Sequence, residues 1–85
     1  MEVIVFSAKS CGFCHQQSEF LKRNGVEFIE KDVMADKTVF QEFQSLGGTG
    51  TPFTIVKRDG AIASKITGFN KDKLVQDLGI EELNG

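Results

Sequence analysis

The chain has no tryptophan, no tyrosine, one proline and only two cysteines in 85 residues. Each shortage removes a class of function. No apolar stretch approaches the ~20 residues that a helix needs to span a bilayer, so no membrane association is expected. Ten basic residues stand against twelve acidic ones, a formal net charge of −2, with no basic stripe for nucleic acid and no block of like charge to mark a disordered tail. Two cysteines and one histidine cannot close a four-ligand zinc site within one chain, so no metal is expected. Met1-Glu2 leads straight into a strand-like run, without the basic segment and apolar core of a secretory signal. The expected setting is therefore a reducing cytoplasm, where structural disulfides are uncommon. The length allows one domain, residues 1–85, with a modest core. No internal repeat is present, and a monomer is expected.

What the chain does have is a placement. Its two cysteines form Cys11-Gly12-Phe13-Cys14, directly after the apolar run Val3-Ile4-Val5-Phe6 and directly before helical spacing. A Cys-x-x-Cys pair where a strand hands over to a helix is suited to thiol–disulfide exchange. A bond closing so short a loop constrains the unfolded chain little, which makes a purely structural staple a poor explanation.

The periodicities give seven elements. Glu2 to Ser7 is short, β-branched and aromatic, a buried strand. Ser10 is a candidate cap for a helix over Cys11 to Asn24, whose inner face carries Phe13, Cys14, Gln17, Phe20 and Leu21. Lys22 and Arg23 suit the negative end of its dipole, and Gly25 its stop. Val26 to Lys31 alternates as a second strand. A second helix, Lys37 to Leu46, places Val39, Phe40, Phe43 and Leu46 inward, and Gly47-Gly48-Thr49-Gly50 breaks it. Phe53 to Lys57 is a third strand opening after Pro52. Arg58-Asp59-Gly60 turns a hairpin into a fourth strand, Ala61 to Thr67, with Ile62 and Ile66 on one face. Asn70 caps a last helix bearing Leu74, Val75 and Leu78, and Gly79 ends it. The order β-α-β-α-β-β-α predicts an α/β fold: a four-stranded mixed sheet with helices on both faces, the first two strands parallel and the last two antiparallel.

The thiolate is the species that attacks a disulfide. Cys11 falls at the first turn of a helix, where unpaired N–H groups and the positive dipole end favour an anion, and Lys9 can add a cation. Cys11 is therefore assigned as nucleophile. Cys14, three residues on, shares its side of the helix and the inward stripe, and is assigned as the resolving thiol. Gly12 lets a partner backbone approach. Phe13 either presents its ring beside the thiols or joins the core. His15 reads as an exposed polar residue. Pro52 is either an ordinary proline at a strand start or a cis proline that turns Thr51 toward the cysteines.

The strand, the Lys9-x-Cys11-x-x-Cys14 run, the Thr51-Pro52 opening a late strand and the Gly68-Phe69 before a final helix together resemble the glutaredoxin branch of the thioredoxin superfamily, over essentially the whole chain. The resemblance implies a thioredoxin-like fold, a cis Pro52 against the disulfide, and dithiol oxidoreductase activity. It also implies that the Thr51 backbone pairs with an extended substrate such as glutathione, with Lys9, Phe13, Thr51, Pro52, Gly68 and Phe69 as contacts. Glutathione would act as co-substrate, with no permanently bound cofactor. Three features depart from the glutaredoxin pattern. Cys-Gly-Phe-Cys replaces Cys-Pro-Tyr-Cys, Gly50-Thr51-Pro52 replaces Thr-Val-Pro, and the Gly-Gly with its acidic pair is reduced to Gly68-Phe69-Asn70-Lys71-Asp72. That last segment is more similar to NrdH-type redoxins, which are reduced by thioredoxin reductase and for which ribonucleotide reductase is the family-based partner.

Other classes fit less well. Cys11-Gly12-Phe13-Cys14-His15 matches the c-type haem attachment motif, but a small α/β pattern leaves little room for a porphyrin. A dimer bridging an iron–sulfur cluster through one cysteine per chain and glutathione is the binding-module alternative. A catalytically idle fold would not need both thiols.

Overall fold

The computed structural model describes residues 1–80, so the last five residues of the expected 1–85 domain lie outside the described residues. The elements are β1 (Glu2–Ser7), α1 (Gly12–Arg23), β2 (Ile29–Asp32), α2 (Lys37–Ser45), β3 (Phe53–Arg58), β4 (Ala61–Thr67) and α3 (Lys71–Leu78). The sheet runs β2-β1-β3-β4. β1 pairs in parallel with β2 and antiparallel with β3, and β3 pairs antiparallel with β4. This is the expected mixed sheet, and its architecture is thioredoxin-like.

β1 reads as an unbroken apolar run because both of its faces are covered. Val3 and Val5 join Phe20 and Leu21 of α1, Val56 and Ile66 of the sheet, and Leu74 and Leu78 of α3. Ile4 and Phe6 face the other way, with Phe53, Ile55, Val33 and Phe43 of α2. Thus α1 and α3 lie on one face and α2 on the other. Three phenylalanines close the second layer: Phe43 meets Phe53 edge-on at 5.6 Å between centroids and Phe6 at 5.8 Å, within the range that aromatic pairs favour. Lys31 of β2 reaches Glu42 of α2 at 2.9 Å.

Helix starts are conventional for α2 and α3. Asp36 accepts from Thr38 N at 2.8 Å, and Asn70 accepts from Lys73 N at 3.1 Å. The β3–β4 turn places both Asp59 (φ 54°) and Gly60 (φ 80°) at positive φ, as a two-residue hairpin of the right twist demands.

Four expectations change. The second strand is Ile29–Asp32 rather than Val26–Lys31. Val26 N donates instead to Leu21 O at 2.9 Å, closing the end of α1, and Val26 and Phe28 pack on the α1/α3 core without joining the ladder. Ile62 and Ile66 lie on opposite faces. The register steps from Val56↔Ser64 to Lys57↔Ile62, so Ala63 is an extra residue that turns Ile62 outward. Phe40 is 40% exposed, at the edge of the α2 layer and not inside it. Phe13 is 64% exposed. The buried stripe of α1 is Cys14, Gln17, Phe20 and Leu21, and Phe13, about 100° round the helix from Cys14, falls off it.

The glycine tract after α2 has one steric requirement. A Cβ on Gly48 would stand 2.4 Å from the Phe43 ring, which is wedged between Phe6 and Phe53. Gly48→Ala should therefore destabilise the protein by about 1–3 kcal/mol through overpacking. Leu21→Ala, at a fully buried site, should cost about 2–5 kcal/mol through the cavity it leaves. Urea denaturation of each variant checks both values, with the slope expected to stay unchanged.

Candidate active site

β1 ends at Ser7, and the chain turns at once, Cys11 N donating to Ala8 O at 3.1 Å. Cys11 then adopts an extended conformation (φ −90°, ψ 107°) and is itself the N-cap of α1. Its sulfur takes the place of the usual hydroxyl or carboxylate oxygen, accepting from Cys14 N at 3.2 Å. Ser10, the expected cap, is exposed and outside the helix. A sulfur that caps its own helix sits where backbone N–H groups converge and where the dipole favours negative charge.

The two cysteines are joined as a disulfide with a Cα–Cα distance of 5.2 Å, well inside the range such a bond spans. They differ in access: Cys14 is 2% exposed, whereas Cys11 is only partly buried. Cys11 is the more accessible of the two.

The opposite wall is built by the segment that leads into β3. The Thr51–Pro52 peptide bond is cis, Pro52 is buried, and the Thr51 carbonyl lies 3.6 Å from Cys11 Sγ. In the disulfide that sulfur carries no proton, so this is a contact; in the thiol form the same geometry makes an S–H···O bond. Gly68 N donates to Pro52 O at 2.8 Å, and the positive φ of 77° at Gly68 lets the chain turn there from β4 toward α3. Cys11, Cys14, Thr51, Pro52 and Gly68 are therefore gathered at one end of the sheet.

The remaining candidates are placed differently. Phe13 presents its ring to solvent next to the disulfide. Lys9 is exposed on the turn before Cys11. Phe69 is half-buried and stacks edge-on against Phe20 at 5.8 Å, so its ring serves the α1/α3 core more than the site. A shallow cleft on the Cys14 side is lined by Lys9, Cys14, His15, Glu30 and Asp32.

Two interactions escaped the sequence reading. His15 Nε2 lies 3.0 Å from Lys9 O, pinning the turn that carries Cys11; its exposure was expected and its tether was not, because nothing in the spacing links residues 9 and 15. Gln17, on the apolar stripe one turn beyond Cys14, is fully buried and donates through Nε2 to Thr54 Oγ1 at 2.7 Å. A glutamine on a buried stripe was a visible signal.

Comparison with known proteins agrees with this geometry. The family model described as Glutaredoxin matches residues 3–59. A glutaredoxin-like 8.6 kDa protein of the rubredoxin operon of Clostridium pasteurianum is 33% identical over 76 residues, covering 85% of this chain and 95% of that one. Among solved structures, a mutant of the thioredoxin-like protein BC3987 superposes with a TM-score of 0.81 at 31% identity, over 94% of this chain and 97% of the other. The glutaredoxin-like NrdH-redoxin from Escherichia coli, described as having a thioredoxin-like activity profile, gives 0.77 at 17% identity over 89% and 93%, a likeness of fold. With its paired cysteines at the strand-to-helix junction, the chain belongs to the glutaredoxin family.

Proposed function

We propose that the protein is a cytoplasmic dithiol–disulfide oxidoreductase that reduces protein disulfides or glutathione mixed disulfides through Cys11 and Cys14. The observation that carries this reading is the asymmetry of the pair: a partly buried Cys11 whose sulfur accepts from the Cys14 N–H at 3.2 Å, beside a partner that is 2% exposed.

The chemistry follows from that asymmetry. The Cys11 thiolate attacks one sulfur of a substrate disulfide, forming a mixed disulfide and expelling the other sulfur as a thiolate that takes a proton from water. Cys14, shielded from outside thiols, loses its proton and attacks the Cys11 sulfur. The Cys11–Cys14 bond forms, the mixed disulfide breaks, and the second substrate sulfur leaves as thiolate. Two electrons have passed to the substrate, and an external reductant restores the dithiol. An extended substrate would lie along the Thr51 backbone with Gly68 beyond it, while the exposed Phe13 ring and Lys9 flank the nucleophile.

The reductant divides two readings. Glutathione as co-substrate accords with the glutaredoxin family. Feeding by thioredoxin reductase, with ribonucleotide reductase among the disulfide partners, is the second reading, favoured by the segment Gly68 to Asp72. There Asn70 Oδ1 is engaged by Lys73 N, Phe69 stacks on Phe20, and the Lys71 ammonium lies 5.5 Å from the Phe20 ring centroid. These contacts within the protein's own packing support the second reading.

Two experiments test the proposal. Cys11→Ser should reduce exchange to the uncatalysed background, while Cys14→Ser should accumulate mixed disulfides visible by mass spectrometry and keep part of any glutathione-dependent turnover. If Cys14→Ser alone abolishes alkylation at neutral pH, the two roles are reversed. Turnover of a small disulfide with glutathione and glutathione reductase, measured against turnover with thioredoxin reductase alone, identifies the electron source; activity with neither removes the proposed function.

A further inference from the structure

Among the described residues, Gln17 Oε1 is a buried side-chain polar atom with no hydrogen-bond partner. The side chain is fully buried, and so is Thr54, which receives its amide N–H. An acceptor left in this condition costs free energy unless some other state of the molecule satisfies it.

Reduction of the disulfide creates such a state. It leaves two sulfurs able to carry protons. Cys11 Sγ already has the Thr51 carbonyl at 3.6 Å. Cys14, at 2% exposure, is cut off from water, so any acceptor for its weak S–H donor must come from the protein. Gln17 lies three residues on, along the same buried stripe. Helix side chains tilt toward the N-terminus, so that residue 17 covers the turn containing residue 14. The Thr54 bond takes up the amide nitrogen and leaves the carbonyl oxygen without a partner.

We propose that the Gln17 side-chain carbonyl accepts the hydrogen bond of the Cys14 thiol in the reduced protein and thereby biases the Cys11–Cys14 couple toward the dithiol. The orphaned acceptor burdens only the disulfide state, and the new bond forms only in the dithiol state, so both effects act in the same direction. With glutathione as reductant the step balances: two glutathione thiols become glutathione disulfide, the Cys11–Cys14 bond breaks, and two protons pass to the protein's sulfurs, the one on Cys14 engaging Gln17. Gln17 neither gives nor takes a proton; it tunes the equilibrium. The inference rests on the exchange chemistry proposed above.

The test is the equilibrium constant of the couple in glutathione buffers. The double variant Gln17→Leu with Thr54→Val removes both polar ends and leaves no new orphan. Its equilibrium should move about tenfold toward the disulfide, about 30 mV more negative, while Thr54→Ser, which keeps the hydroxyl, should stay within about twofold of the parent. A purely structural role would change the stability of both redox forms alike and leave the constant untouched, which would overturn the proposal. A shift toward the dithiol would also overturn it, since the amide's NH2 end would then face the sulfur. Should the double variant fail to fold, infrared spectroscopy of the unaltered reduced protein decides. The Cys14 S–H band, assigned by its loss in Cys14→Ser, should lie below that of a free thiol, and a band at the free-thiol position rejects the bond. An unaltered protein that performs no exchange at all would instead remove the function on which the inference stands.

Discussion

The hydrogen bond from Cys14 N to Cys11 Sγ, 3.2 Å long, is the contact on which the site depends. It ends a helix with a sulfur in place of the oxygen that caps α2 and α3. A neutral sulfur is a poor acceptor, but an anionic one is strengthened by every N–H that faces it. The helix start is therefore best satisfied when Cys11 is charged, so the arrangement that begins α1 also favours an anion at its first sulfur. Folding and chemistry draw on the same N–H group.

Such a cap works only if the helix is held still beneath it. That task falls to β1, buried on both faces, and to the α1 stripe that packs on it through Phe20 and Leu21. On the far side of the sheet, Phe43 and Gly48 set how closely the chain passes after α2 before reaching Thr51 and Pro52. The two walls of the site, Cys11 from one and the Thr51 carbonyl from the other, are thus positioned by separate cores meeting at the shared strand pair β1–β3. Each core fixes one side of the place where Cys11 and the Thr51 carbonyl meet.

Most of this was legible in the residues. Apolar runs covered on both faces gave β1 and β3, Asn70 and Gly79 bracketed α3, and Asp59-Gly60 gave the hairpin. The Cys-x-x-Cys at a strand end located the site. What failed did so for tertiary reasons. Val26 and Phe28 alternate like a strand because they pack into a core, but the Val26 N–H is already committed to Leu21 O. Ile62 has the spacing of a core residue until Ala63 shifts the register. Phe13 has helical spacing to Gln17, but the stripe is centred elsewhere. Ser10 has the chemistry of a cap, but the backbone becomes helical one residue later. Periodicity reports which residues are apolar; which N–H is spent and where a strand gains a residue are decided by partners distant in sequence.

Three departures from local rules lie close together around the two cysteines. Away from the site, helices are capped by Asp36 and Asn70 and the cores are aliphatic and aromatic. Around the two cysteines a sulfur caps a helix, a phenylalanine ring stands 64% exposed, and a glutamine is buried with half of its amide unmatched. Each costs stability when judged alone: about 1–3 kcal/mol for a buried orphan, and the unused burial of a large ring for Phe13. A sequence selected only for folding would replace all three with ordinary choices. Lying together within the first two turns of one helix, they fall where local rules are expected to yield to the demands of a site.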